Sequence, residues 1–390
     1  MNTTPYQEKY RSQFHFTPPA NWMNDPNGMV YWDGEYHLFY QYHPGGTTWG
    51  PMHWGHAVST DLKHWEHLPI ALRPDRHGQI FTGCAVVDWE DSSGFFGGRP
   101  GLVAVFTHAD QHPDTGRPRQ RQSLAYSLDK GRSWVTYEGN PVLDHEQLAD
   151  FRDPKVFWYA PERTWIMVIA AGDRVLFYTS SDLKAWAYAS EFGAGAGSHD
   201  GVWECPDLIE LPVDGQADRT LWVLIVSIGD NPDRPEGSRT QYFVGSFDGR
   251  GFTSDAPTDT VLWLDHGRDH YAGVTWSDAN RTDGGRLFSG WMSNWKYANL
   301  TPTGSWRSAM TLPRVLSLKT LPVGVRLVQE PVAELQKLRG EQEQWEDVTL
   351  TPGTHVLSGV KGGTYEIECE LDLGSASELG LKLRQGGHGL

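Results

Sequence analysis

The chain has 390 residues and a formal net charge of -16. It is too long for one ordinary core and of the wrong sign for nucleic acid or an anionic membrane surface, so two domains, or one large β domain with a smaller one, and a neutral or cationic ligand are expected. Its 18 Trp, 15 Tyr and 15 Phe are many for a hydrophobic share of 38%, and flat apolar ligand faces suit such side chains as well as core packing does.

Cys84, Cys205 and Cys369 are far apart and lack metal-ligand spacing, so neither a disulfide framework nor a metal site is expected. The N-terminal residues 1–11 are polar, without the apolar run of a signal peptide, and no stretch reaches the length of a membrane span. The expectation is a cytoplasmic protein with no membrane partner, or a secreted one if a leader has been removed.

The first organised stretch is Asn21-Trp22-Met23-Asn24-Asp25-Pro26-Asn27-Gly28. Pro26 fixes φ, while Asn27 and Gly28 tolerate positive φ. A turn held in this way aims the short carboxylate of Asp25 in one direction, although such an Asp also serves simply to bond its own backbone. Two further acids stand in similar settings, in Phe151-Arg152-Asp153-Pro154 and Trp203-Glu204-Cys205-Pro206-Asp207.

From Met29 to about Val328, apolar runs of about five residues alternate with Gly, Pro, Asn and Asp turns, as at 36–40, 102–106, 165–169 and 221–226. They are β-branched or aromatic and show no helical period, so the class is all-β. An internal repeat refines this. Ser59-Thr60-Asp61-Leu62-Lys63-His64-Trp65 recurs around Asp129 and Asp182, and more weakly around Asp248, each time after an apolar strand. A strand, an Asp-anchored turn and an aromatic opening the next strand, repeated at blade-sized intervals, predict a β-propeller. With a further unit through 273–276 and 287–291, the count is five blades over residues 1–328. Residues 329–344 read as a linker with a short helix near Pro331. Over 345–390, the alternation at 348–350, 365–371 and 379–383 predicts a partial β-sandwich too thin to bury a core of its own.

Strand ends of a propeller converge on a funnel, so Asp25, Asp153 and Glu204, from different blades, can meet there. Two carboxylates flanking a bond are the minimum for glycoside hydrolysis. Glu204, between the apolar Trp203 and Cys205, reads as an acid with a raised pKa, and Asp153, after Arg152, as a carboxylate held ionised.

Taken whole, residues 22–28, Arg152-Asp153-Pro154 and Glu204-Cys205-Pro206-Asp207 resemble the three signature motifs of glycoside hydrolase family 32, which holds invertases, inulinases, levanases and related fructosyltransferases. The resemblance runs from about Tyr6 to Leu318, through Phe39-Tyr40-Gln41-Tyr42, Trp54-Gly55-His56-Ala57, Trp291-Met292-Ser293-Asn294-Trp295 and residues 306–314. It implies a five-bladed propeller followed by a β-sandwich, here much shorter than the family's. It also implies Asp25 as nucleophile at the anomeric carbon of a β-fructofuranosyl unit, Glu204 as acid/base and Asp153 as transition-state stabiliser. A retaining mechanism of this kind needs the Asp25 and Glu204 carboxyls about 5 Å apart. Asn24, Gln41, Trp49, Phe81, Thr82, Arg152, Tyr271 and Trp291 are implied as the substrate-binding set, amide, hydroxyl and guanidinium donors with aromatic walls. One departure is Cys84, where the family usually has Ser, which puts a detail of subsite bonding in question.

Residues 291–297 and 306–310 look more like exo-acting levanases and inulinases than sucrose-phosphate hydrolases, and no Lys/Arg cluster offers a phosphate subsite. The expected substrate is therefore levan or inulin, with some action on sucrose; invertase and fructosyltransferase are alternatives within the same chemistry. A sialidase would need an arginine cluster and a tyrosine nucleophile, for which this sequence offers no frame, and a silent sugar-binding propeller is disfavoured by the three acids. His53 and His56 lack further ligands for a metal. No cofactor is expected, and a homodimer is compatible with the sequence but not required by it.

Overall fold

The computed structural model describes residues 6–351, 356–357 and 359–381. The chain divides into two compact units, Met1–Leu335 and Gln336–Leu390.

The first unit is built almost wholly of antiparallel strands in five successive groups. The first comprises β1 (Asn21–Trp32), β2 (Glu35–His43), β3 (His53–Ser59) and β4 (Glu66–Leu72). The second comprises β5 (Gln79–Asp88), β6 (Gly101–Gln111), β7 (Pro118–Ser127) and β8 (Val135–Thr136). In the third are β9 (Arg152–Tyr159), β10 (Thr164–Ala170), β11 (Val175–Ser180) and β12 (Ala187–Phe192). The fourth holds β13 (Trp203–Val213), β14 (Gln216–Ile228), β15 (Arg239–Phe247) and β16 (Phe252–Ser254), with β17 (Leu262–Trp263) added alongside β15. The fifth runs through β18 (Tyr271–Thr275), β19 (Arg286–Trp291), the short β20 (Trp306–Arg307), β21 (Arg314–Leu321) and β22 (Gly324–Pro331).

The first strands touch in a cycle: β1 packs on β5, β5 on β9, β9 on β13, β13 on β18, and β18 returns to β1. The ring is closed by backbone bonds, because β20 pairs in parallel with β1 at Asn21↔Trp306 and Trp22↔Arg307. This is a β-propeller, consistent with the five blades expected from the repeat. Its core is distributed between neighbouring groups. In β10, Met167 and Ile169 face Val103, Val105 and Leu124 of the second group, whereas Ile166 and Val168 face Leu224, Val226 and Phe243 of the fourth. Strands buried on both faces explain why the sequence shows continuous apolar runs rather than strict alternation.

The repeated Ser-x-Asp frame folds as one turn, always between the third and fourth strands of a group. Asp61 Oδ1 accepts the backbone N–H of Lys63 and His64 at 3.0 and 2.9 Å; Asp182 Oδ1 accepts those of Lys184 and Ala185 at 2.9 and 2.8 Å. Asp248 does the same for Arg250 and Gly251 at 2.9 and 2.8 Å, and Asp129 Oδ1 accepts Ser133 N–H at 2.8 Å. The aromatic in the frame has a local task as well: the indoles of Trp134 and Trp186 donate to the carbonyls of Gly131 and Leu183, at 3.0 and 2.9 Å.

A 3₁₀ helix, Ala333–Leu338, occupies the expected linker. Beyond it, no strand forms among the described residues up to 381, so the strands predicted at 348–350 and 365–371 are not formed here; Val348, Leu350, Tyr365, Ile367 and Leu371 are exposed. Alternation gives a strand one apolar face, but that face needs a facing layer, and this short unit supplies none among its described residues. Of the third predicted strand, 379–383, residues 382–383 lie outside the described residues. No helix among the described residues is long and apolar enough to cross a membrane.

Candidate active site

At one end of the ring, every first strand carries a register break at the same depth. The breaks fall between Met23 and Pro26 in β1, Ile80 and Gly83 in β5, Glu204 and Asp207 in β13, and Tyr271 and Val274 in β18. In β9 the break lies just after Arg152, which pairs with Ala170 while Lys155 pairs with Val168. A bulge bends its strand and re-aims a side chain. Here the bulges contain or adjoin Asp25, Thr82, Asp153, Glu204 and Tyr271, which is how five strands contribute to one locus. Backbone conformation follows suit: Asp153, Cys205 and Ala272 have φ of 63°, 47° and 51°. Pro154 and Pro206 fall inside the β9 and β13 breaks, where no ladder bond is asked of them, and Pro26 closes the β1 break opposite Tyr40.

Direct contacts bind these residues into one cluster. Asn24 Nδ2 donates to Asp25 Oδ1 at 3.0 Å, and the indole of Trp22 holds Asn24 through its Oδ1 at 2.8 Å. Thr82 Oγ1 donates to Asp25 Oδ2 at 2.8 Å. Cys205 lies between two acids, its Sγ 3.6 Å from Asp25 Oδ2 and 3.5 Å from Asp153 Oδ2, and its backbone N–H donates to Asp153 Oδ2 at 3.0 Å. Arg152 donates to Glu204 Oε1 from Nε and Nη2, at 3.2 and 2.9 Å, while the Tyr271 hydroxyl donates to Glu204 Oε2.

Around this centre Trp291 is fully buried against Trp22, Tyr271 and Trp295, and its indole N–H has no partner among the described residues. Trp49 is exposed on the β2–β3 connection, its ring edge-on to that of Phe81 with centroids 6.2 Å apart. Gln41 is buried, and its amide donates to the Ile80 carbonyl at 3.0 Å, so it braces the chain entering the β5 bulge.

Three carboxylates gathered in a partly dry place repel one another. Burial first, then the charge of Glu204, pushes Asp25 up to about 6, against the hydrogen bonds from Thr82, Asn24 and Cys205. Asp153 is also raised, chiefly by burial, with Arg152 opposing and Glu204 and Asp25 adding to the rise. Arg152 does favour the ionised form of Asp153, as expected, but burial outweighs it. The guanidinium is 3.9 Å from Asp153 Oδ2 and makes its hydrogen bonds to Glu204, Asp150 and Gln120 instead. The neighbours invoked for Glu204 also act elsewhere. Trp203 packs in the core between the third and fourth groups, and the Cys205 thiol faces the other two acids.

Cys84 plays no part in this cluster. Its side chain lies in the core between the second and third groups, where Sγ accepts the Val156 N–H at 3.1 Å. The missed contributors are Cys205, Gln120 and Asp150. A cysteine beside the acid was visible in the sequence, but nothing local marked Gln120, which meets Arg152 from another strand. Among the described residues no group of three His, Cys, Asp or Glu side chains is placed to hold a metal ion.

A propeller with three acids, an arginine and a ring of aromatic and amide groups at one end of its axis has the build of a carbohydrate-active β-propeller. The chain belongs to glycosyl hydrolase family 32: the model of that family's N-terminal domain matches residues 15–331. It is 58% identical over 385 residues to a levanase of Bacillus subtilis (strain 168), covering 98% of this chain and 56% of that protein, so it spans little more than half of that relative's length. Among solved structures, the exo-inulinase of Aspergillus awamori superposes with a TM-score of 0.76 at 41% identity, over 84% of this chain and 68% of that one. A β-fructofuranosidase of Schwanniomyces occidentalis, complexed with fructosyl-erythritol, gives 0.76 at 38% identity, over 85% and 65% of the two chains.

Proposed function

We propose that the protein is a retaining β-fructofuranosidase that releases terminal fructose from levan or inulin and also cleaves sucrose. The observation that carries this reading is the unequal treatment of two carboxylates in one cluster. Asp25 accepts hydrogen bonds from Asn24 and Thr82 that orient both its oxygens, while Glu204 is held from the other side by Arg152 and Tyr271. An oriented carboxylate whose ionisation lies near 6 is an available nucleophile at neutral pH.

Asp25 attacks the anomeric carbon as Glu204 gives its proton to the departing oxygen; Glu204 then takes a proton from water, which displaces Asp25 and frees the sugar. Asp153, adjoining both through Cys205, bonds sugar hydroxyls and offsets positive charge at the transition state. Trp49 and Phe81 wall the mouth, and Trp291 underlies the bound ring. The levanase and exo-inulinase names of the relatives support a fructan over sucrose as main substrate.

The test is a product profile from levan, inulin and sucrose in parallel, together with Glu204→Gln. Fructose as sole early product from a fructan is expected, with turnover in the variant lower by about 10²–10⁴-fold and fructose binding retained. Undiminished turnover in Glu204→Gln would refute the assignment of the acid, and hydrolysis of sucrose alone would refute the fructanase.

A further inference from the structure

The five breaks are not alike. Those of β9, β13 and β18 each hold a non-glycine residue at positive φ, namely Asp153, Cys205 and Ala272 at 63°, 47° and 51°. No described residue of the β1 break beside Asp25 or the β5 break beside Thr82 does so. A left-handed residue that carries a side chain is unfavourable and persists only where its surroundings over-determine it. Ladder bonds do not supply that hold, because the three N–H groups donate to side chains. Asp153 donates to Thr107 Oγ1 at 3.1 Å, Cys205 to Asp153 Oδ2 at 3.0 Å and Ala272 to Ser227 Oγ at 3.0 Å.

One buried tie joins the same three strands just past their breaks. Lys155 is where β9 resumes pairing, Asp207 is where β13 does, and Thr275 follows Val274, where β18 does. Lys155 Nζ donates to the Thr275 carbonyl at 2.7 Å and to its hydroxyl at 3.2 Å, and lies 3.3 Å from Asp207 Oδ1. Asp207 Oδ2 accepts the Thr275 N–H at 2.6 Å and the Thr275 hydroxyl at 2.7 Å. Both charged residues are buried, Lys155 6% exposed and Asp207 0%. The tie adjoins the acids: a small cavity is lined by Thr82, Asp153 and Cys205 of the cluster and by Lys155 and Thr275 of the tie.

A buried ion pair is a poor source of stability, because taking two charges out of water costs about as much as their attraction returns. What it supplies is register. An ammonium on β9 that must reach a carboxylate on β13 and a carbonyl on β18 finds both in one arrangement of the three strands. We propose that Lys155 and Asp207 are positioning residues for the hydrolysis. They set the mutual register of β9, β13 and β18, and through it the separations of Asp153, Glu204 and Tyr271. The proposal rests on the reading of Asp153 and Glu204 as working acids.

The test compares Lys155→Met, the double variant Lys155→Met/Asp207→Asn and Thr275→Val, each by melting temperature, by kcat and KM on a fructan well below melting, and by amide hydrogen exchange. Lys155→Met leaves a buried carboxylate without its counter-charge and should melt several degrees lower. The double variant removes both charges and keeps an oxygen for the Thr275 donors, so its melting temperature should largely recover. Its kcat should not: a fall of about tenfold or more is expected, with KM changed less than about threefold. The amides of Asp153, Cys205 and Ala272 should exchange about tenfold faster or more, while those of 166–169 in β10 keep their rates. A double variant that regained wild-type kcat together with its melting temperature would overturn the proposal, since the pair would then serve folding alone. If the double variant did not fold, Thr275→Val would decide, because it keeps both charges and removes one hydroxyl of the tie: a lower kcat at unchanged KM supports the proposal and an unchanged kcat overturns it. If the wild type cleaved no fructoside, the glycosidase reading would fail on its own. The exchange rates at the three breaks would still decide whether the pair holds them, and wild-type rates there would refute it.

Discussion

Thr82→Val isolates one hydrogen bond to the nucleophile. Valine keeps the β-branched shape of a buried threonine and removes only the hydroxyl that donates to Asp25 Oδ2 at 2.8 Å. A hydrogen bond to a charged group contributes about 1.5–3 kcal/mol. It favours only the ionised carboxylate, so its loss raises the Asp25 pKa by roughly one to two units at 1.36 kcal/mol per unit. Asp25 stands at about 6 with Thr82 in place; without it, the acid limb of kcat/KM should move to about 7–8. At pH 6 the ionised fraction falls from roughly a half to about a tenth or less, a loss of about fivefold or more that narrows as pH rises. The assay is an initial-rate profile from about pH 4 to 9. The three acids are close enough for the limb to belong to the cluster as a whole, yet the direction of its movement is fixed. A uniform loss across the range, with the limb unmoved, would refute the electrostatic role of Thr82.

Asp153→Asn should abolish turnover yet stabilise the protein. The folded pKa of Asp153 is raised, so the folded state retains a proton that the unfolded state loses, and stability declines as pH rises from about 3.9 through the folded value. The variant is then expected to melt higher at pH 8, by roughly 2–4 °C for each kcal/mol recovered, with the advantage lost at pH 4; a lower melting temperature at pH 8 would contradict the burial argument. Gly83→Ala would place its Cβ 2.1 Å from the Val105 carbonyl oxygen and 2.6 Å from Phe106 Cα, backbone atoms that cannot yield. Urea titration should show a loss of more than about 3 kcal/mol, and activity should fall because Thr82 is displaced from Asp25.

Much of this was legible in the chain because it is local chemistry. Short β-branched runs, the Ser-x-Asp turns and the prolines beside Asp25, Asp153 and Glu204 depend on a few consecutive residues, and each folds as its local pattern requires. Other features depend on neighbours distant in sequence. Arg152 adjoins Asp153 in the chain, but the cluster turns its hydrogen bonds to Glu204, Asp150 and Gln120, so adjacency gave only the weaker of its partners. Cys84 looked like a change in the site because the resemblance puts a Ser there, yet its side chain packs in the core between the second and third groups. Cys205 looked like an apolar neighbour of Glu204 but faces the other two acids. The alternating pattern after residue 345 met its limit for the same reason, since a strand forms only where another layer covers it.

The sequence by itself determined the all-β class, the repeat and the identity of three acids, because turn geometry and strand preference are set by short segments. Tertiary structure alone decided which oxygen each donor meets and which acids share a burial cost. Those depend on five bulged strands converging from positions up to 246 residues apart, from Asp25 to Tyr271, and no local pattern encodes the distances at which they meet.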